Sequence, residues 1–376
     1  MPPGYLFAPA ADWIRELMKR EHRIAVYTTS CDVDRPTTFQ GERLRIRIAP
    51  QRTQGTGRDF FARERCALQR MMREDRCDMI HAHWTYEFAL AALASDIPTL
   101  VTIHDHPWKV LGHFRDGHRA ARLLMAYRTA SLGSHFTAVS QGAARHFRST
   151  IKPGASIRVI PNGVPAALFA LSCRTTKRTS DGVRFATILQ GWSRLKNASA
   201  ALRAFALVRR ACPKARLTMF GLDYEQDGPG QRWACASQLD DGVSFAGALP
   251  YETLLQRVSQ EVDVIVHPSL NETFSMTILE SMALRKAVIV GEKTSGMREM
   301  LGNGNGGVFV DVRNPEEIAS AMVEVARDPE LRGALGDSAY QRALKLYRLE
   351  AVMDQYEEMY EETLHAQRRR PCDASL

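Results

Sequence analysis

The chain lacks what would mark a disulfide-stapled, membrane-embedded or fibrous protein. Its seven cysteines are an odd number with no Cys-x-x-Cys pair, which argues against a disulfide framework or a paired-thiolate zinc site and for reduced thiols. No apolar run approaches the roughly 20 residues that span a bilayer, and the N-terminus shows no signal-peptide pattern. A cytoplasmic location is therefore expected. Basic residues are spread out, apart from Arg368-Arg369-Arg370, and come with no nucleic-acid-binding motif, so nucleic acid is not an expected partner. Glycine and proline, at 25 and 17 of 376 residues, are too ordinary for a low-complexity chain.

What is present fits a soluble globular protein. With 376 residues and 45% hydrophobic content, there is room for two domains of common size. A net charge of +8, from 50 Lys and Arg against 42 Asp and Glu, favours anionic partners such as nucleotide sugars or lipid head groups.

Along the chain, residues 12–21 read as an amphipathic helix with Trp13, Ile14, Leu17 and Met18 on one side, and residues 24–27 as a parallel strand. Residues 43–49 alternate Leu44, Ile46 and Ile48 with Arg43, Arg45 and Arg47, the pattern of a half-exposed strand. Residues 58–76 form a strongly basic helix, carrying Arg63, Arg65, Arg70, Arg73 and Arg76. A domain-packing helix with a solvated face is its commoner meaning, and an anionic membrane surface its other one. From residue 78 strands and helices alternate, with a helix over 115–130, which predicts a parallel doubly wound sheet with ligands at the carboxyl ends of its strands. A polar, turn-rich stretch at 171–182 reads as a linker. A second alternation follows it, with helices at 198–210 and 251–260, and the two halves imply a cleft.

The most informative stretch is residues 263–299. Val264, Ile265 and Val266 form an apolar strand ending at His267-Pro268-Ser269, and a helix follows that Asn271 can cap. Glu272 then sits in the turn ahead of the helix, and Glu280 two turns inside, about 12 Å along the axis. Backbone amides at Thr273, Phe274 and Ser275 can hold phosphate, and two carboxylates suit hydroxyl-bearing rings on either side of it. Earlier, Arg194 and Lys196 in the run Gly191-Trp192-Ser193-Arg194-Leu195-Lys196-Asn197 open the first helix of the second half and suit a diphosphate leaving group. The run Gly302, Gly304, Gly306, Gly307 precedes a strand instead of following one, so it reads as a loop.

The run HPSLNETFSMTILESMALRKAVIV resembles the signature of retaining glycosyltransferases of the GT-B fold, sequence family 4, with Glu272 and Glu280 on its two glutamates. DMIHAHWTYEFALAALASDIPTLVTIHD and FTAVSQGAARHFRSTIKPGASIRVIPNGV resemble the N-terminal half of the same enzymes. The resemblance implies an α/β GT-B fold: two Rossmann-like doubly wound parallel-sheet domains facing a cleft, an acceptor-side domain at 1–170 and a nucleotide-sugar-binding domain at 183–348. A C-terminal helix at 349–366 would cross back to the first domain. It implies a hexosyltransferase with a nucleotide sugar as substrate and no cofactor or metal, acting on a glycan or lipid-linked acceptor in cell-surface polysaccharide, lipopolysaccharide or glycoconjugate biosynthesis. The arginines of residues 58–76 add an expectation of peripheral attachment to the anionic inner membrane face, where lipid-linked acceptors are found. By the same resemblance His104, Glu272 and Lys196 are catalytic, with Arg194, Asn197, Thr273, Phe274, Ser275 and Glu280 binding the donor. Glu272 would hold the donor sugar and Glu280 the ribose. Trp192 and Ser275 depart from the family's Arg and Gly, and Arg285-Lys286 from its small residue.

Two alternatives remain at this level. One is a catalytically silent nucleotide-sugar-binding relative, and the other a metal-dependent hydrolase built on His81, His83, His104 and His106. One further expectation concerns the start of the chain. The family fold begins with an apolar strand, whereas Met1-Pro2-Pro3-Gly4 leads almost directly to the first helix, so a central first strand is expected to be missing.

Overall fold

The computed structural model describes residues 8–172, 182–302, 304 and 306–368. The chain divides into two compact units, one running to Asn162 and taking in the chain from Leu349, the other Gly163–Arg348.

The first unit begins with α1 (Ala8–Lys19), β1 (Ile24–Ser30), β2 (Thr37–Gln40), β3 (Leu44–Pro50), α2 (Ala62–Asp75) and β4 (Ile80–His83). It continues with α3 (Glu87–Leu93), β5 (Thr99–Ile103), α4 (Pro107–Phe114), α5 (Gly117–Leu132), β6 (His135–Ala138), α6 (Gln141–Thr150) and β7 (Ile157–Val159). Strands β4-β5-β6-β7 are all parallel, whereas β1-β3-β2 is a separate sheet in which β2 runs antiparallel to β3. The parallel sheet expected from residue 78 is β4-β5-β6-β7; among the described residues β1 and β3 stand in the other sheet, and β1 and β4 are not paired with one another. The expected gap at Met1–Gly4 lies outside the described residues.

Two helices differ from their sequence reading for identifiable reasons. The basic helix starts only at Ala62, because Phe60 and Phe61 both adopt left-handed conformations that turn Phe61 into a buried cluster with Tyr86, Leu90 and Met125. The helix expected over 115–130 is α5, which starts only at Gly117 and has a separate helix, α4, ahead of it: Arg115 is left-handed at the end of α4, and the Asp116 side chain accepts from the Arg119 amide at 2.8 Å to open α5.

The second unit opens with α7 (Ala166–Ser172), whose Leu168 and Phe169 pack with Ile278, Met282 and Tyr340. This packing draws residues 163–170 into the second unit, although the polar stretch after them reads as the boundary. Its βα-alternation runs through β8 (Arg184–Ile188), α8 (Ala198–Ala211), β9 (Arg216–Phe220), α9 (Pro229–Ala236), β10 (Val243–Gly247), α10 (Tyr251–Glu261) and β11 (Val264–His267). It ends with α11 (Met276–Ala283), β12 (Ala287–Gly291), α12 (Met297–Leu301), β13 (Val308–Val310), α13 (Pro315–Arg327) and α14 (Pro329–Leu346). The six strands are parallel in the order β10-β9-β8-β11-β12-β13. Alternate residues feed opposite faces, as the strand period requires. Val264 and Val266 join Phe185, Phe205 and Ile289 on one side, while Ile265 joins Ala186, Phe220 and Val288 on the other.

The strand order reverses between β8 and β11, and in such sheets the loops leaving that point hold the ligand. Those loops carry Gly191–Asn197 and Pro268–Ser275. The last helix, α15 (Leu349–Arg368), belongs to the first unit: Leu349, Val352, Met353 and Tyr356 pack with Trp13, Leu100 and Ile160. Arg20 ties α1 to it through Asp354 at 2.7 Å and Glu357 at 2.6 Å. No helix among the described residues is long and apolar enough to cross a membrane.

Candidate active site

In the second unit, strands β8 and β11 deliver two short loops to one place. The Lys196 ammonium lies 2.8 Å from Glu272 Oε1, and His267, the last residue of β11, places Nε2 3.3 Å from the same oxygen. Burial would push the Glu272 carboxyl up, but the Lys196 ammonium and His267 outweigh it and hold the group at about 2. The carboxylate is thus fixed as an anion with two donors on one oxygen. His267 is itself buried, and its Nδ1 finds no hydrogen-bond partner among the described residues.

The two loops are tied together by backbone groups. Asn197, in a left-handed conformation, donates its side-chain amide to the carbonyls of Pro268 and Val312 at 3.1 and 2.7 Å. The Leu270 amide donates to Leu195 at 2.9 Å, and Thr294 Oγ1 donates to the Ser269 carbonyl at 2.8 Å. Asn197 therefore holds the site's scaffold with the side chain that the resemblance assigns to the donor.

The helix after β11 starts later than its sequence reading. Ser275, not Asn271, is its cap, with Oγ accepting from the Ile278 amide at 3.4 Å. Glu280 consequently lies about one turn inside α11, where it is buried and accepts from the Tyr251 hydroxyl at 2.8 Å. Thr273 is buried, and Phe274 packs edge-on against Tyr347 with ring centroids 5.7 Å apart. Gly296, at φ +83°, lies so close to the Thr273 carbonyl that a Cβ there would overlap it.

Trp192 does not take up the cationic role of the residue it replaces. Its amide donates to Asp223 Oδ2 at 2.8 Å, and its ring packs against Trp233 and Tyr224 at 5.3 and 6.0 Å. Arg194 is exposed and makes no hydrogen bond or ion pair with another described residue, so its guanidinium remains available to a ligand.

In the first unit the histidines gather at the ends of β4 and β5. His83 Nδ1 lies 3.0 Å from His104 Nε2, Trp84 packs at a tilt against His104 at 4.7 Å, and Trp13 against His83 at 4.9 Å. His81 binds the Tyr360 hydroxyl at 2.9 Å and Thr102 Oγ1 at 2.6 Å. Burial drives His83 down to about 3, and burial followed by the neighbouring His83 holds His104 well below the usual histidine range. Beside them, burial raises Asp105 to about 6 against the Tyr86 hydroxyl that donates to it. Among the described residues no group of three His, Cys, Asp or Glu is placed to hold a metal ion, so the ligand set a metal-dependent hydrolase requires is not assembled there.

Comparison with known proteins decides between these chemistries. Residues 10–168 match the family model described as Glycosyltransferase Family 4, and residues 179–342 the one described as Glycosyl transferases group 1. The chain belongs to the family-4 glycosyltransferases. It is 22% identical over 313 residues to N-acetyl-alpha-D-glucosaminyl L-malate synthase of Bacillus anthracis, covering 79% of this chain and 78% of that one. It is 27% identical over 299 residues to D-inositol 3-phosphate glycosyltransferase of Pseudarthrobacter chlorophenolicus, covering 73% and 69%. Among solved structures, sucrose-phosphate synthase from Thermosynechococcus elongatus superposes with a TM-score of 0.80 at 18% identity, covering 94% and 92%. Anabaena HepE in complex with UDP and glucose superposes at 0.67 and 18%, covering 84% and 86%. The fold is GT-B, as the sequence resemblance implies.

For this glycosyltransferase, sequence reasoning missed three contributors. His267 ends a parallel strand next to the switch point, a position that marks ligand sites and was a usable signal. Tyr251 reaches Glu280 from 29 residues away, and Asp223 anchors the Trp192 loop from 31. Neither leaves a local trace.

Proposed function

We propose that this glycosyltransferase moves a hexose from a nucleotide sugar to a glycan or lipid-linked acceptor in cell-surface polysaccharide or glycoconjugate biosynthesis, with retention of anomeric configuration and without a metal ion. The observation that carries this reading is the Lys196–Glu272–His267 cluster at the loops where the strand order reverses. On this reading the Lys196 ammonium, with the exposed Arg194, offsets the charge of the departing diphosphate. The Glu272 anion accepts hydrogen bonds from donor-sugar hydroxyls, and Glu280 accepts from the ribose. The leaving phosphate oxygen takes the acceptor proton on the face from which it departs. His104 contributes a neutral imidazole, in keeping with its depressed basicity. HepE, solved with UDP and with UDP-glucose, supports a uridine donor as the first to try.

The test is a donor screen scored by release of nucleoside diphosphate, with and without chelator. Release that survives chelator and is lost in Glu272→Gln supports the proposal. Release that needs a divalent ion overturns metal independence. Tight nucleotide binding with no release by any donor supports the silent relative, a reading that Trp192 in place of an arginine favours.

A further inference from the structure

We propose that the exposed face of the α4–α5 helical pair docks this enzyme on an anionic lipid bilayer. Of the ten large apolar side chains that stand exposed among the described residues, five fall between Trp108 and Leu132. Leu124, Tyr127 and Leu132 follow one another along α5 at helical spacing, with Arg128 on the same stripe, and Leu124 and Leu132 are 56% and 45% exposed. Trp108, 46% exposed, extends the stripe onto α4, because its indole N–H donates to the Tyr127 hydroxyl at 3.0 Å. The tyrosine in turn donates to the Thr150 carbonyl at 2.7 Å, which fixes both rings in place on the surface. Tryptophan and tyrosine held at a surface with leucines beside them are suited to the boundary between head groups and acyl chains.

Charge chooses the occupant. Residues 107–132 contain Lys109, Arg115, Arg119, Arg122 and Arg128 against a single acid, Asp116, for a net of five minus one, or +4. Two of these cations are used within the protein: Asp116 caps α5 and pairs with Arg119 at 3.0 Å, and Arg122 pairs with Glu87 at 2.8 Å. Lys109, Arg115 and Arg128 are exposed around the apolar stripe. A second copy laid on the same face would bring these cations against themselves. An anionic bilayer accepts both the leucines and the cations, since long basic side chains reach the phosphates while their stems lie along apolar surface. The basic helix α2, the first candidate from sequence, has no exposed large apolar side chain, and its Arg73 is paired with Asp96 at 2.6 Å.

The experiment is flotation of the full chain with equimolar phosphatidylcholine and phosphatidylglycerol vesicles, with neither donor nor acceptor present, so that its failure leaves the transfer reaction untouched. The chain is expected to float at low salt, to float less as salt rises, and not to float with phosphatidylcholine alone. The double variant Leu124→Ser/Leu132→Ser should bind about tenfold more weakly or worse, with unchanged melting and unchanged donor turnover in solution. Arg128→Glu should lose the preference for anionic vesicles, and Arg63→Glu on α2 should behave as the parent. A parent chain that does not float, a double variant that floats equally, or binding abolished by Arg63→Glu would each overturn the proposal. Loss of self-association in the double variant, in place of loss of vesicle binding, would assign the face to a second copy instead.

Discussion

Lys196 and Glu272 are 76 residues apart in the chain, and their charged atoms lie 2.8 Å apart. The contact exists because β8 and β11 are neighbours in the sheet, with Val264 paired to Phe185. It holds the Lys196 ammonium in place beside the Glu272 carboxylate, which gives the first prediction. Lys196→Ala should cut donor turnover about a hundredfold or more through loss of preorganised charge at the leaving group, and Lys196→Arg should restore part of it. Steady-state release of nucleoside diphosphate measures both, and a Lys196→Ala enzyme with parental kcat would remove the ammonium from the reaction.

The same pair predicts acid behaviour in the second unit. The Glu272 carboxyl lies at about 2 in the folded protein and near 4.5 when unfolded. Its contribution to stability is present above the unfolded value and lost as pH falls toward the folded one. Glu272→Gln should therefore flatten the dependence of stability on pH between about 4.5 and 2, read by denaturant melts across that range.

Histidines in the first unit add a separate window. His83 is held at about 3, with His81 and His104 also well below 6.5. Between these values the unfolded chain binds more protons, so stability falls as pH drops below 6.5. Asp105, raised to about 6 from 3.8, acts with the opposite sign between those two values, and one carboxyl does not offset three imidazoles. The melting temperature should drop from pH 7.5 to 5.5, and His83→Gln should reduce the drop. A melting temperature independent of pH over this interval would contradict the assignment.

Glu280 and Tyr251 give a binding prediction. Glu280→Gln should weaken nucleotide-sugar affinity by about 1–3 kcal/mol, the cost of losing a charge-assisted hydrogen bond at a buried site. Tyr251→Phe should cost less, since the hydroxyl only orients the carboxylate. Calorimetry with the donor identified in the screen measures both. Parental affinity in a folded Glu280→Gln variant would exclude Glu280 from the donor site.

Gly296 tests the turn that carries Thr273. At φ +83° and in contact with the Thr273 carbonyl, it has no room for a side chain. Gly296→Ala should destabilise the protein by about 1–3 kcal/mol and weaken donor turnover by shifting residues 273–275. A variant with unchanged melting and turnover would show that this turn tolerates displacement.

The sequence by itself determined the alternation of strands and helices, the apolar runs of β11 and β12, and the spacing of Glu272 and Glu280. These are local: burial on one face or both writes its period into neighbouring residues. The tertiary structure decided what periodicity does not encode. Ser275 won the cap from Asn271 because the loop from Pro268 to Phe274 is held by Asn197, Leu195 and Thr294 and so does not enter the helix. Phe60 and Phe61 broke a helix to bury one ring, and Trp192 became packing for Trp233. Lys196 and Tyr251 acquired their partners Glu272 and Glu280, 76 and 29 residues away, through strand order and helix placement. Such contacts join residues tens of positions apart, and only the folded arrangement of the sheet brings them within hydrogen-bonding distance.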